Sequence, residues 1–183
     1  QPTQQTQLIQ QLPQEDTNPR VSNSPVALAE VLPIVEQILP GQLFTWGRGS
    51  DGQLGQDEAK HPAPNCALPH PVRSLGNIIY VACGGGQQGC TAAVTDDGRL
   101  FTFGNNYKGR LGHGPGPAVR EPRLVEALAG ERVTAVACGT DHSAALLHDG
   151  RVFAWGDNRH GQLGRQTVGS GPMPVELVSL PGA

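Results

Sequence analysis

At 183 residues the chain has the length of a single domain, but its apolar fraction of 37% lies below the usual globular range, so its core has to be spread thinly. The 13 Lys and Arg against 16 Asp and Glu give a formal charge of −3, with six His adding little at neutral pH. That balance carries no basic footprint for nucleic acid or an anionic membrane surface, and no apolar run has the length of a membrane span.

Residues 1–25 are rich in Gln, Pro, Thr and Asn and predict a disordered segment, because they bury too little to offset the entropy of ordering. No secretory leader is visible, and the chain starts with Gln rather than Met, which reads as a processed product or a stretch of a longer reading frame. Residues 26–76 read as a degenerate first unit. Stretches 25–28 and 34–39 suggest a weak strand pair; a short helix over 26–39, interrupted by Pro33, is the other reading. Pro40-Gly41 then runs straight into Leu43-Phe44-Thr45-Trp46-Gly47, so a small-residue strand and its hairpin are missing from this unit.

The decapeptide WGRGSDGQLG follows, from Trp46 to Gly55. It recurs as FGNNYKGRLG from Phe103 to Gly112 and as WGDNRHGQLG from Trp155 to Gly164, with starts 57 residues (103 − 46) and 52 residues (155 − 103) apart. Self-similarity at such a period marks a repeat architecture, in which a unit cannot bury its own apolar face and stacks on its neighbour. Nine glycines recur as structural positions: Gly47, Gly52 and Gly55; Gly104, Gly109 and Gly112; Gly156, Gly161 and Gly164. The first copy also matches the glycine fingerprint of a dinucleotide site from Gly47 to Gly52, but its siblings account for the match. Gly49 aligns with Asn106 and Asn158, and Gly and Asn best tolerate positive φ, so a backbone requirement of the turn is expected there.

The second unit, 77–130, reads as four strands over 78–83, 90–95, 100–103 and 122–128. The third, 131–183, repeats the order over 133–138, 142–147, 152–155 and 174–180. Short runs of β-branched and aromatic residues between turn residues predict antiparallel sheets, and Asp97-Gly98 and Asp149-Gly150 suit two-residue hairpins with positive φ at both positions. Ala92, Ala93, Ala144 and Ala145 would let sheets approach closely. Phe101, Phe103, Phe153 and Trp155 would fill the space one strand further out.

Of the four cysteines, Cys83 and Cys138 sit in matching Ala-Cys-Gly triplets and read as small buried hydrophobes; Cys66 and Cys90 complete the set. No Cys or His pair has metal-ligand spacing, so neither metal nor cofactor is expected, and the absence of a disulfide pattern fits a reducing compartment. Asp96-Asp97 is a turn pair whose members point different ways, not a converging acid–base dyad. With no nucleophile–base pair either, the chain does not read as an enzyme.

The order Val136-Ala137-Cys138-Gly139, then His142-Ser143-Ala144-Ala145-Leu146, Asp149 through Gly156, and Gly161-Gln162-Leu163-Gly164 resembles the repeats of the regulator of chromosome condensation family. The resemblance covers residues 43–180. It implies an all-β fold, an incomplete β-propeller with two complete four-stranded blades and one partial blade where the family ring has seven. An incomplete ring leaves apolar end faces, which call for further blades or self-association.

In the family member that acts as exchange factor for the small GTPase Ran, polar residues at or just before the repeat histidine lie on the face that meets the GTPase. The resemblance therefore implies Thr140, Asp141 and His142 as partner-binding positions, with Gln87 and Gln88 in the corresponding loop of the second unit. Those glutamines carry no charge, so the acidic carry-over rests on Asp141. Cys90 stands where the third unit has His142, with three extra residues ahead of it, and the family's wedge-like exchange insertion has no counterpart. The expectation is a non-catalytic interaction module presenting loops to a protein partner, cytoplasmic or nuclear. Guanine-nucleotide exchange on a Ran-like GTPase is the alternative, and nucleic-acid binding is disfavoured by charge.

Overall fold

The computed structural model describes residues 41–56, 65–86, 88–166 and 169–177. The expectations for 1–25 and 26–39 lie outside the described residues. Ten strands carry the rest: β1 Phe44–Arg48, β2 Asn65–Pro71, β3 Ile78–Gly84, β4 Cys90–Thr95, β5 Leu100–Gly104, β6 Val119–Leu124, β7 Val133–Cys138, β8 His142–Leu147, β9 Val152–Gly156 and β10 Gly171–Glu176. They form an antiparallel pair β1-β2 and two four-stranded antiparallel sheets, β3-β4-β5-β6 and β7-β8-β9-β10. Each sheet is a meander, as short β-branched runs joined by tight turns dictate.

The fourth strand of each sheet begins earlier than the sequence suggested. It covers Val119–Leu124 and Gly171–Glu176 instead of 122–128 and 174–180, and Glu126–Leu128 is a single 3-10 turn. The apolar Val125 and Leu128 misled the reading. Both are buried in the core between the second and third sheets; Val125 N–H makes a last bond to Leu100 O beyond the strand, and Leu128 lies in the 3-10 turn.

The hairpins also differ from expectation. Gly98 N–H donates to Thr95 O at 2.9 Å while Thr95 N–H donates to Arg99 O at 3.0 Å, and of Asp96, Asp97 and Gly98 only the glycine has positive φ. The loop is thus three residues long, a turn completed by a left-handed glycine. His148, Asp149 and Gly150 repeat this geometry. Gly41 has the same positive φ, and its carbonyl accepts Ile78 N–H as Gly98 O accepts Val133 N–H. The small-residue strand and hairpin that the first unit was expected to lack would precede Gly41, outside the described residues.

The sheets lean on one another in chain order. Leu43, Val72, Ile78, Ala93 and Phe103 pack between the first pair and the second sheet. Ala92, Val94, Leu100, Val133, Val136, Ala145, Leu147 and Trp155 pack between the second and third. Ala92 and Ala93 are both fully buried because adjacent residues of β4 face opposite neighbours. Two repeat glycines show why the loops carry no side chain there. A Cβ on Gly52 would stand 2.5 Å from Arg120 Cα, and one on Gly109 2.3 Å from Pro172 Cβ, each on the fourth strand of the following sheet.

Candidate protein-interaction face

The decapeptide loops and the β3–β4 and β7–β8 connections share one end of the sheets. Asn105 N–H donates to Gly89 O, and Asp157 N–H donates to Asp141 O. All nine repeat glycines adopt positive φ. Gly49, Asn106 and Asn158 do not: Asn106 has φ −104°. In the second and third copies the position is a side-chain staple instead. Asn106 is buried, accepts Leu111 N–H on Oδ1 and donates through Nδ2 to Gly114 O, and Asn158 accepts Leu163 N–H. The left-handed residue falls three places later, at Gly52, Gly109 and Gly161. Among the described residues the next element after the first copy's loop is strand β2 and not the helix whose N-terminus a dinucleotide site needs.

Arg110 organises this end. Its side chain is 1% exposed. Nη1 donates to Gln88 O at 3.0 Å and to Thr140 O at 2.5 Å, Nη2 to Asn105 Oδ1 at 3.1 Å, and Nε to Tyr107 O at 3.2 Å. Asp141 completes the shell, with Oδ1 at 3.2 Å from Nη2. The Arg110 carbonyl accepts from Ser143 Oγ and Trp155 Nε1, both at 2.8 Å. One residue of the second unit's decapeptide loop therefore holds the β7–β8 connection, β8 and β9 of the third sheet. A buried guanidinium needs this many acceptors to offset its desolvation.

The sequence signal for Arg110 is that it breaks the repeat. Gln53 and Gln162 hold the same position, and their Oε1 atoms accept the backbone N–H of Asp51 and His160 at 2.9 Å. Arginine has no acceptor to offer. Lys108 takes φ +60°, the one positive value at a non-glycine among the described residues.

Of the anticipated partner-binding residues, Thr140 and Gln88 are exposed, and their carbonyls are the ones Arg110 holds. Asp141 is half-buried and ion-paired, not the freely solvated charge an isolated surface aspartate would be. His142 is half-buried at the start of β8, its ring packed on Gly139, whose N–H donates to the His142 carbonyl. Gln87 lies outside the described residues. The structure adds Tyr107, 52% exposed between Lys108 Nζ, 5.4 Å from the ring centre, and Arg110 Cζ at 5.8 Å. Arg159 stands nearby, paired with Asp157 at 3.0 Å. That pairing holds the Asp157 carboxyl below its usual range, against the opposing effect of burial.

The cysteines are not uniformly buried. Cys90 is, Cys138 and Cys66 are half-buried, and Cys83 is exposed on β3, its thiol 3.8 Å from Thr91 Oγ1. Asp96 and Asp97 serve the hairpin separately. Asp96 accepts from Asn77, while Asp97 takes Thr95 Oγ1 and Arg99 Nε, which together hold its carboxyl below the ordinary range.

The family model described as the regulator of chromosome condensation (RCC1) repeat matches residues 40–90, 97–146 and 149–183. The human E3 ubiquitin-protein ligase HERC2 is 40% identical over 146 residues, 78% of this chain and 3% of that protein. The mitochondrial RCC1 domain-containing protein RUG3 of Arabidopsis thaliana is 37% identical over 144 residues, 76% of this chain and 32% of that one. Among solved structures, Prp20p of Saccharomyces cerevisiae, reported with its binding properties to Gsp1p and histones, superposes with a TM-score of 0.63 at 25% identity, covering 80% of this chain and 36% of that one. The chain thus spans about a third or less of each of these proteins. Repeated backbone turns, stacked four-stranded sheets and three matches of one family model agree: the chain belongs to the regulator of chromosome condensation (RCC1) repeat family.

Proposed function

We propose that the chain is a non-catalytic interaction module whose decapeptide end docks a protein partner, working inside the cell in a reducing compartment. The observation that carries this reading is Arg110: it fixes the Gln88 and Thr140 backbones from below and leaves their side chains, with Tyr107, facing outward. Rigidly held loops bearing an exposed aromatic suit protein recognition, since little entropy is lost on binding. We take Thr140, Gln88, Gln87 and Tyr107 as the contacting positions, with Asp141 and His142 supporting them.

Prp20p's reported binding to Gsp1p and histones favours a second reading, regulation of a Ran-like GTPase by nucleotide exchange. One experiment separates the two. Purified Ran-type GTPase loaded with fluorescent GDP is titrated with the chain, and core histones are titrated in parallel. Accelerated GDP release assigns exchange; binding without release assigns the module. Tyr107→Ala or Thr140→Ala weakens that binding, while Asp97→Ala at the opposite end leaves it unchanged. Equal loss from both ends defeats the proposed face.

The outer face of the third sheet bears on assembly. Ala144 and Leu146 occupy the places that Ala92 and Val94 hold in the second sheet, where the third sheet covers them completely, yet Leu146 is 41% exposed. We propose that another repeat covers this face, from further blades or a second copy. Sedimentation of the isolated chain then shows concentration-dependent association, and Leu146→Glu reduces it; a monomer at every concentration refutes the idea.

A further inference from the structure

Cys90 is the second departure from the repeat at this end, since the third unit places His142 there. The triplet cysteines Cys83 and Cys138 each have a hydroxyl partner, Thr91 and Ser143, at 3.8 Å. Cys138 has a further neighbour in the Cys90 thiol of the preceding sheet. The strands that carry them are in direct contact: a Cβ on Gly84, the register partner of Cys90, would stand 2.8 Å from Cys138 Cβ. The two thiols thus meet across the seam between β4 and β7.

We propose that Cys90 and Cys138 are a redox couple, closed by hydroperoxides into a disulfide that staples the second sheet to the third. The two sulfurs are not equivalent. The neighbouring Cys138 lowers the Cys90 thiol below its ordinary value against the opposing effect of burial, and the Arg110 guanidinium adds to the lowering. The same neighbour and burial hold Cys138 high. Cys90 is therefore the thiolate that attacks. It is 2% exposed, which excludes a bulky disulfide, and Gly84, Gly85, Gly86 and Gly89 contribute no side chain to screen it from a small hydroperoxide.

The step balances. The Cys90 thiolate attacks one oxygen of the hydroperoxide, the O–O bond breaks, and the alcohol or water leaves with the proton of the Cys138 thiol. The Cys138 thiolate then attacks the sulfenic sulfur of Cys90, the S–S bond forms, and hydroxide departs to be protonated by solvent. Each sulfur loses one electron and the peroxide gains two; a small dithiol reverses the couple. The bridge closes a loop 48 residues apart (138 − 90) between the segments bearing Gln88 and Thr140, so oxidation stiffens the proposed docking rim. The couple does not depend on which partner docks there.

The test uses the full reduced chain exposed to hydrogen peroxide, alkylated and counted for thiols after denaturation. The expected count falls from four to two, peptide mapping finds Cys90 joined to Cys138, and the melting temperature rises by roughly 5 °C and returns on reduction. Cys90→His, which installs the residue of the third unit, abolishes the loss, while Cys83→Ser and Cys66→Ser retain it. Cys90 and Cys138 both still alkylated at a peroxide dose that oxidises exposed Cys83, a bridge through Cys83 or Cys66, or sulfinic Cys90 without a bridge overturns the proposal. Mapping of the unaltered chain decides the matter even if a variant folds poorly.

Discussion

The two ends of the stacked sheets are built on different principles. At the hairpin end the seams are closed by backbone, Ile78 N–H to Gly41 O at 2.6 Å and Val133 N–H to Gly98 O at 2.9 Å. These bonds recur from sheet to sheet because any residue can make them. At the decapeptide end the backbone turns recur and Gly114 N–H reaches Pro172 O, but the other ties across the seam come from side chains: Thr91 to Gln53 O in one, Arg110 to Thr140 O with Ser143 and Trp155 to Arg110 O in the next. An end held by backbone keeps the array in register whatever its sequence. An end held by side chains can be individualised one repeat at a time, and there Arg110, Lys108 and Cys90 depart from their counterparts.

The largest test of that contrast is Arg110. Replacing it with alanine leaves the Thr140 and Gln88 carbonyls and the Asp141 carboxylate without their donor and is expected to cost about 3 kcal/mol, the low end for a broken buried pair because Asp141 keeps partial solvent contact. Arg110→Gln is expected to cost less than half as much. Glutamine would accept Lys108 N–H as Gln53 accepts Asp51 N–H, at the expense of the inter-sheet bonds. Urea unfolding of both variants measures the difference; equal losses would mean that the repeat template carries no stability of its own.

The hairpin end is probed by two matched glycines. Gly98 and Gly150 have φ of +86° and +89°, but a Cβ on Gly98 would meet Arg132 Cγ at 2.7 Å, whereas one on Gly150 meets nothing within 4 Å. Gly150→Ala carries only the left-handed backbone penalty of about 1 kcal/mol. Gly98→Ala adds displacement of Arg132 at the seam, for roughly 2 kcal/mol in all. Similar losses in the two variants would show that the hairpin end is not packed sheet to sheet.

Much of this architecture was legible in the amino-acid order. Runs such as 90–95 and 142–147 became strands at the anticipated bounds, because alternation and flanking turns leave a short β-rich run few options. The fourth strands were misplaced because Val125 and Leu128 are apolar for inter-sheet packing, a use that a strand pattern imitates. The asparagine staple was mistaken for a backbone need because Gly49 and Asn106 look interchangeable when only φ is considered. Strand β2 escaped notice altogether, since Asn65-Cys66-Ala67-Leu68-Pro69-His70-Pro71 contains two prolines and no β-branched residue. Arg110 was visible only as an exception. A repeat shows what its positions share, and this site is made from what they do not share.

A smaller effect, of opposite sign, is expected at Ala154. Thr45 and Thr102 hold its place in the earlier copies, donating to the carbonyls of Leu54 and Leu111 at 2.6 and 2.7 Å. Their hydroxyls also meet Gln56 Nε2 and His113 Nε2. Ala154 offers no hydroxyl, and Arg165, aligned with Gln56 and His113, has a buried Nε without a partner among the described residues. Ala154→Thr supplies both a donor for Leu163 O and an acceptor for Arg165, and is expected to stabilise by about 1 kcal/mol. A destabilised variant would show that the third loop is packed too tightly to accept the template of the first two.

His113 gives the finest distinction, because it sets a titrating group where Gln56 sets a neutral one. Burial pushes its imidazole below the ordinary value, with the Arg123 charge adding to this and the hydrogen bond to Thr102 opposing it. The unfolded chain therefore binds the proton more readily than the folded one, and stability rises with pH wherever that difference operates. The contribution is complete above about pH 6.5, the unfolded value, and is lost progressively as the pH falls below it. His113→Gln keeps a donor for the Thr102 hydroxyl, as Gln56 does for Thr45, and removes the proton site. Urea midpoints between pH 7.5 and 5.5 should fall more steeply for the native chain than for this variant. Parallel slopes would place the acid sensitivity elsewhere and leave the two loops electrostatically equivalent.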